Sequence, residues 1–137
     1  MIIKSFSKIN LTLRVLKKLK NGMHNIETNS VLTNLFDVIN IKKSKKDVII
    51  FKGKFKDKIN FKKNSVSQTL HLLKKLRITD NHYKIVVKKN IPVYAGLGGG
   101  TSNSVSIVRY FLKNNLNEKL IINFEKKIGS DFRLFLN

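Results

Sequence analysis

Hydrophobic and polar residues alternate along the first part of the chain. Between Phe6 and Val15, every second residue from Ile9 onward is apolar, which predicts a β-strand with Ile9, Leu11, Leu13 and Val15 on one face. Asn21-Gly22 predicts a turn, and residues 23–32 are predicted to form the returning strand. Short runs rich in β-branched residues predict three more strands, at residues 38–41, 48–51 and 83–87.

A three-to-four spacing of apolar residues predicts three helices. The first covers residues 66–76 and is capped by Asn64-Ser65, and the second begins at Thr101-Ser102. The third covers residues 118–128, and Gly129 supplies its end. Because strands precede two late helices and no repeat or linker interrupts the chain, the sequence predicts one α+β domain over residues 1–137.

The composition fits a globular protein. The chain has 137 residues, of which 42% are hydrophobic, and it has no cysteine, so disulfides and cysteine-based zinc sites are excluded. The first residues lack the apolar core and cleavage site of a signal peptide, and no apolar run approaches the ~18 residues of a membrane span. We therefore expect a soluble, cytoplasmic protein that does not associate with a membrane.

The charge is strongly basic, with 28 Lys and Arg against 8 Asp and Glu, a net charge of +20. Such a surface attracts nucleic acid, nucleotides and anionic lipid. The lysine pairs are, however, spread along the chain and form no single block. This distribution favours a solvated surface over a dedicated polyanion-binding face.

A glycine-rich segment, Gly96–Gly100, lies between the last predicted strand and the helix at Thr101-Ser102. Glycines permit positive φ and a close approach of the backbone, and a helix N-terminus adds free N–H groups that favour phosphate. The segment is not a Walker A motif, since no Gly-Lys-Ser/Thr follows, and Thr101 replaces the third glycine of a dinucleotide fingerprint. A phosphate-binding loop is favoured over a flexible turn.

Four segments resemble the motifs of one kinase superfamily. Residues 92–103 resemble the P-x-x-x-G-L-G-G-G-S-S-N signature of the galactokinase, homoserine kinase and mevalonate kinase (GHMP) superfamily. Residues 7–11 resemble A-K-I-N-L, residues 21–28 resemble D-G-Y-H-x-L-x-T, and residues 129–135 resemble G-A-D-V-P-F-F. The last three motifs are those of one family of that superfamily, the 4-diphosphocytidyl-2-C-methyl-D-erythritol kinases.

The resemblance implies a fold and an activity. The fold is the GHMP N-terminal domain, also found in a ribosomal protein, with a mixed sheet and helices packed on one side. The activity is ATP-dependent phosphorylation of the 2-hydroxyl of 4-diphosphocytidyl-2-C-methyl-D-erythritol in non-mevalonate isoprenoid synthesis, with ATP and Mg²⁺ as cofactors. Family members are about twice as long, so the C-terminal domain is expected to be absent, and the chain would be truncated or need a second half.

The same resemblance assigns roles to individual residues. Asp131 would accept the proton of the substrate hydroxyl, and Lys8 would neutralise charge near that hydroxyl and the γ-phosphate. Asn10, His24 and Thr28 would bind the substrate, His24 at the cytosine edge. Ser102 is in addition a weak candidate for a Mg²⁺ ligand. The residues implied to bind ATP are Pro92, Val93, Tyr94, Ala95, Gly96, Leu97, Gly98, Gly99, Gly100, Thr101 and Ser102.

Two departures from the family motifs leave alternatives open. Met23 replaces the tyrosine expected to stack on cytosine, and Arg133 replaces a proline beside Asp131. One alternative is a basic RNA-binding domain of similar fold, although a nucleic-acid partner is not the expectation. The other is an inactive kinase remnant. The effect of Met23 on base recognition, the role of the lysines and the oligomeric state stay open.

Overall fold

The centre of the fold is a four-stranded mixed sheet. The computed structural model describes residues 1–20, 22, 24–113 and 115–136. The strands are β1 (Ile2–Lys18), β2 (His24–Ser44), β3 (Val48–Lys52) and β4 (His82–Lys88), in the sheet order β1-β2-β4-β3. β2 pairs antiparallel with both β1 and β4, whereas β3 and β4 are parallel. The predicted mixed sheet is confirmed.

Three helices complete the fold. They are α1 (Ser65–Lys75), α2 (Gly99–Leu112) and α3 (Glu118–Ile128), with short 3₁₀ segments at Lys56–Lys58 and Ser130–Phe135. Asn64 caps α1 as predicted, in a capping box with Ser67. α3 has the predicted bounds, and Gly129 follows it. α2 begins two residues before Thr101, because the last glycines of the loop already adopt helical geometry.

The hairpin of β1 and β2 is longer than predicted. β2 is one continuous strand where the sequence predicted two, at residues 23–32 and 38–41. The residues between them stay in the strand because the pairing with β1 continues through an irregularity between Phe6 and Lys8. Asn21, at the predicted turn, and Met23, at the predicted base contact, lie outside the described residues.

The prediction that Ile9, Leu11, Leu13 and Val15 share one face is wrong. A second irregularity between Asn10 and Thr12 gives β1 an extra residue there. Ile9 pairs with Val31 and Leu13 with Thr28, and these β2 partners are an odd number of residues apart, so they point to opposite faces. All four side chains are exposed, by 46–63%. The alternation therefore indicated a strand correctly but did not identify a core face.

The hydrophobic core lies between one face of the sheet and the layer of helices. Ile39 and Ile41 of β2 and Ile85 and Val87 of β4 alternate onto this face and are buried. The helical side chains buried against them are Val66, Leu70, Leu73, Val105, Ile107, Val108 and Phe124. No helix in the described part of the chain is long and apolar enough to cross a bilayer.

Candidate phosphate-binding and catalytic site

The glycine-rich loop joins the end of β4 to the start of α2. Gly96 and Gly98 have φ of 72° and 67°, which favours glycine at both positions. A Cβ added to Gly98 would lie 2.5 Å from the Phe135 ring, and one added to Gly99 would lie 2.9 Å from the Ile91 side chain. The glycines are thus required by the backbone at residue 96, by packing at residue 99, and by both at residue 98.

The loop forms one wall of a surface cleft of about 370 Å³. Every predicted ATP-binding residue from Pro92 to Thr101 lines this cleft. The free N–H groups at the start of α2 add a partial positive charge beside it, an arrangement suited to phosphate. The volume of the cleft lies within the usual range of small-molecule binding sites.

Ser102 faces away from this cleft. Its hydroxyl donates a hydrogen bond to the Phe6 carbonyl at 2.6 Å and lies 2.8 Å from the Ser5 hydroxyl, in the interior between α2 and β1. Thr101, by contrast, lines the cleft. Among the residues described, no cluster of three or more His, Asp or Glu side chains is placed to hold a metal ion. A role of Ser102 as a Mg²⁺ ligand stays a prediction, and the hydroxyl that would bind the ion is already engaged with Phe6 and Ser5.

Lys8 and Asp131, the two predicted catalytic residues, lie together beside the loop. The Lys8 ammonium is 3.4 Å from the Asp131 carboxylate and donates to Asn10 Oδ1 at 3.0 Å. The Lys8 backbone N–H donates to the Leu97 carbonyl at 3.0 Å, which anchors β1 to the loop. The Lys8 side chain is 5% exposed and that of Asp131 is 44% exposed. An incoming hydroxyl group can therefore reach the carboxylate while the ammonium stays fixed behind it.

The predicted substrate-binding residues share one face of the hairpin. Directly paired residues of an antiparallel ladder point to the same side, and so do alternate residues of one strand. The pairs are Lys8 with Leu32, Asn10 with Ser30, Leu13 with Thr28 and Lys18 with His24. Lys8, Asn10, Thr28 and His24 consequently lie on one face.

The structure does not bring all four of these residues close together. His24 and Leu32, the partner of Lys8, are eight residues apart on β2, or about 26 Å at ~3.3 Å per residue. The Thr28 hydroxyl donates to the Thr12 carbonyl at 2.7 Å and is engaged within the hairpin. Asn10 joins Lys8 and Asp131, whereas Thr28 and His24 lie further along the hairpin. A ligand that contacts the whole face must be extended.

Arg133, which replaces a proline of the family motif, connects the Asp131 segment to α3. Its guanidinium donates to Glu125 at 2.7 Å and makes two hydrogen bonds to Glu118, one of them at 3.2 Å. The hydrogen bonds that Arg133 donates to Glu118, and then those that it donates to Glu125, raise the pKa of Arg133, and the Arg133 guanidinium in turn lowers the pKa of Glu118. Arg133 thus ties Ser130–Phe135 to α3 by electrostatic contacts.

Several cleft residues were missed by reasoning from the sequence. Four polar residues outside the loop also line the cleft: Asn60, Lys63, Asn64 and Lys89. Lys89 is buried and forms an ion pair with the buried Asp37. The period-two pattern contained a signal for this pair, since Lys89 continues the inward face of β4 and Asp37 that of β2, where charged residues are unusual.

Known proteins resemble the chain in both sequence and fold. The model of the GHMP kinases N-terminal domain matches residues 64–133, which is 70 of the 137 residues. A 4-diphosphocytidyl-2-C-methyl-D-erythritol kinase of Caldicellulosiruptor saccharolyticus is 36% identical over 96% of this chain and 46% of its own length. A kinase of the same name from Pelagibacter ubique is 39% identical over 94% of this chain and 46% of its own length.

Solved structures show the same fold. A crystal structure of 4-(cytidine 5'-diphospho)-2C-methyl-D-erythritol kinase superposes with a TM-score of 0.73 at 23% identity, over 99% of this chain and 48% of that one. Mevalonate pyrophosphate decarboxylase from Streptococcus pyogenes superposes with a TM-score of 0.64 at 16% identity, over 97% of this chain and 44% of that one.

The comparisons agree on the fold and on the share of each relative that the chain covers. The chain spans about half the length of the curated relatives it matches. The α+β fold, with a mixed sheet and helices on one side, is the fold expected from the glycine-loop motif. The family model covers just over half of the chain, and its match includes the glycine-rich loop, α2 and Asp131. The chain therefore belongs to the GHMP kinases, as their N-terminal domain.

Proposed function

We propose that this chain is the nucleotide-binding half of an ATP-dependent kinase that phosphorylates the 2-hydroxyl of 4-diphosphocytidyl-2-C-methyl-D-erythritol, in the non-mevalonate route to isoprenoids. The observation that carries the proposal is the meeting of Lys8, Asp131 and the glycine-rich loop at one place. Relatives at 36–39% identity carry the name of this kinase. Because they are about twice as long, the proposal includes a second polypeptide half that completes the site.

The loop is assigned to the phosphates of ATP. The cleft beside Pro92–Thr101 offers backbone N–H groups and the positive end of α2, and the glycines let the phosphates approach closely. Mg²⁺ would bind mainly through the phosphates and water, as is usual for this ion, and Ser102, the predicted protein ligand, would have to release its hydrogen bond to Phe6 to reach it. The ion would neutralise phosphate charge.

Asp131 and Lys8 are assigned to the chemistry. Phosphoryl transfer depends mostly on positioning and charge stabilisation, and a carboxylate within reach of the attacking hydroxyl can take its proton. The Lys8 ammonium, 3.4 Å from that carboxylate, would attract the transferring phosphoryl group and hold the hydroxyl near Asp131. Asn10, which accepts a hydrogen bond from Lys8, is placed to contact the polyol part of the substrate.

The remaining substrate contacts follow the hairpin face. Thr28 and His24 lie on the face that carries Lys8 and Asn10, further toward the hairpin tip. We propose that the diphosphate-linked nucleoside runs from Asp131 along this face toward His24. Because the strand distance of about 26 Å exceeds the length of the extended substrate, contact between its base and His24 requires the hairpin tip to bend toward Asp131. The imidazole offers one donor and one acceptor to the base edge.

The test measures binding and turnover separately. ATP affinity is measured for the chain alone, and transfer of phosphate from ATP to the erythritol substrate is measured with the C-terminal half of a relative supplied in trans. Asp131→Asn should lower turnover by about 10²–10⁴-fold, the contribution of a general base, and leave ATP affinity within threefold. Asp80→Asn, at an exposed acid, is the matched control and should change neither. Equal turnover of Asp131→Asn and wild type would refute the mechanism, and absence of ATP binding would refute the function.

A further inference from the structure

A buried network of polar side chains lies directly behind the glycine-rich loop. At its centre is Asp37, which is 0% exposed. Oδ2 of Asp37 accepts hydrogen bonds from the Lys89 ammonium and, at 3.1 Å, from the Asn103 side-chain amide. Oδ1 accepts from the backbone N–H groups of Asn90 and Ile91, at 2.8 and 2.9 Å. One carboxylate thus receives four hydrogen bonds.

These donors lie at the two ends of the loop. Asn90 and Ile91 immediately precede Pro92, where the loop begins, and Asn103 lies in the second turn of α2, just after the loop ends. The side chain of Asn90 adds a hydrogen bond to the Phe36 carbonyl at 2.9 Å. A single residue of β2 therefore holds both ends of the loop against the sheet.

The network also reaches the loop through packing. Ile91 is completely buried, and its side chain packs so closely on Gly99 that a Cβ added there would lie only 2.9 Å from it. Gly99 is the first residue of α2, whose free N–H groups face the cleft. Since Asp37 fixes the Ile91 backbone, and the Ile91 side chain supports Gly99, Asp37 determines where the first turn of α2 lies.

We propose that Asp37 is a positioning residue for the phosphate-binding loop, and that Lys89 allows its carboxylate to be buried there. Asp37 does not reach the ligand itself. It holds the backbone N–H groups of the loop in the arrangement that a phosphate requires before any nucleotide is present. This inference depends on the proposed function in one respect only, namely that the ligand of the loop is a nucleotide.

The two roles of the carboxylate can be separated by paired substitutions. Asp37→Asn/Lys89→Met removes the buried ion pair but keeps a side-chain oxygen that can accept from the N–H groups of Asn90 and Ile91. Asp37→Leu/Lys89→Met removes the same charges and also removes that acceptor, with a side chain of similar size. Since Lys89→Met occurs in both variants, any difference between them reports the acceptor.

Two amides report the position of the loop without a nucleotide. The Lys8 N–H donates to the Leu97 carbonyl, and the Ser102 N–H donates to the Gly98 carbonyl at 2.9 Å. The Ile78 N–H, which donates to the Leu73 carbonyl at the end of α1, is the reference amide. Hydrogen exchange at Lys8 and Ser102, divided by exchange at Ile78, measures loop opening separately from global unfolding.

The Leu/Met variant should exchange at the two reporter amides roughly tenfold faster than the Asn/Met variant, because buried N–H groups lose their acceptor. Its ATP affinity should fall by a similar factor. Asp47→Asn, at the other end of β4, removes a carboxylate that also binds a lysine and a backbone N–H, and should leave the normalised exchange unchanged. Equal exchange in the two double variants overturns the proposal.

A single substitution covers the case in which a double variant does not fold. Asn103→Ser removes one hydrogen bond to Asp37 without removing a charge, and it should increase exchange at Ser102 more than at Lys8. Unchanged exchange at Ser102 in this folded variant also overturns the proposal. Because exchange is measured without nucleotide, it tests the role of Asp37 independently of ATP binding. Failure of the wild type to bind ATP would refute the proposed function but would not change the result for Asp37.

Discussion

The two ends of the β1–β2 hairpin differ sharply in how they are supported. The loop end comprises Lys8, the glycine-rich loop and the Asp131 segment. There the Lys8 backbone bonds to the loop, the Lys8 side chain pairs with Asp131, and the buried Asp37 bonds to both ends of the loop. At the hairpin end, which comprises residues 9–20, 22 and 24–31, side chains on both faces are exposed. The apolar side chains exposed there include Leu11, Leu13, Val15, Leu16 and Ile26.

This difference indicates what the chain can organise by itself. The glycine-rich loop and the Lys8–Asp131 pair are held by contacts within the described residues, so the proposed ATP site is organised by this part of the chain. The proposed base-binding end of the substrate face has no such support. An exposed apolar surface of this kind marks a site of interaction in many proteins. ATP binding is therefore the part of the proposed function that we expect from the chain alone.

The largest difference in the free energy of unfolding is expected between a substitution in the hydrophobic core and one at the hairpin end. Phe132 is completely buried, and its ring stacks on Phe124 with the centroids 5.5 Å apart, so Phe132→Ala should lower the free energy of unfolding by about 3–5 kcal/mol. Leu13 is 57% exposed, and Leu13→Ala should change the free energy of unfolding by less than about 0.5 kcal/mol. Urea unfolding measures both. A large cost at Leu13 would mean that the hairpin end is covered in solution.

Glycine substitutions sharpen the contrast within the loop. Gly98→Ala combines a left-handed backbone, about 1–2 kcal/mol, with overlap against the Phe135 ring, about 1–3 kcal/mol. Gly96→Ala has the same backbone cost but nothing within 4 Å of its added Cβ. Gly98→Ala should therefore destabilise more and weaken ATP binding more, as measured by unfolding and titration. Equal effects would show that the overlap with Phe135 is relieved.

The smallest expected effect concerns a surface carboxylate far from the site. Burial alone would raise the pKa of Asp47, but the hydrogen bonds from Lys74, the Tyr83 N–H and His82 outweigh burial and lower its pKa. A lowered pKa contributes stability above the unfolded value of about 3.9, and that contribution is lost as the pH falls through the lower folded value.

Asp47→Asn should accordingly cost about 0.2–1 kcal/mol at pH 7, and its difference from wild type should shrink below about pH 4. Urea unfolding over this pH range measures the difference, with the exposed Asp57→Asn as control. A difference that grows as the pH falls would contradict the lowered pKa. ATP affinity should stay unchanged throughout.

Local patterns predicted most elements because each has a local cause. The bounds of α3, the Asn64 cap of α1 and the strand at residues 83–87 follow from spacing, capping and β-branched residues. The hairpin was predicted less well. Its irregularities at Phe6/Lys8 and Asn10/Thr12 arise from the pairing of two strands, and the residues of one strand alone do not determine that pairing.

The candidate site divides in the same way. The glycine-rich loop was visible in the sequence because phosphate binding needs glycines next to one another, and the resemblance to known motifs supplied Lys8 and Asp131. The Asp37–Lys89 pair was missed because its members are 52 residues apart and meet only when β2 pairs with β4. The surrounding charge of +20 also concealed Lys89 among the other lysines.

The sequence by itself therefore determined the kind of protein: an α+β domain with a glycine-rich loop and the motifs of one kinase superfamily. Only the tertiary structure decided how that loop is held, that Ser102 faces the interior, and that both faces of the hairpin end are exposed. The reason is physical. Loop and helix formation depend on neighbouring residues, whereas burial, strand register and the pairing of Asp37 with Lys89 depend on contacts between distant segments of the chain.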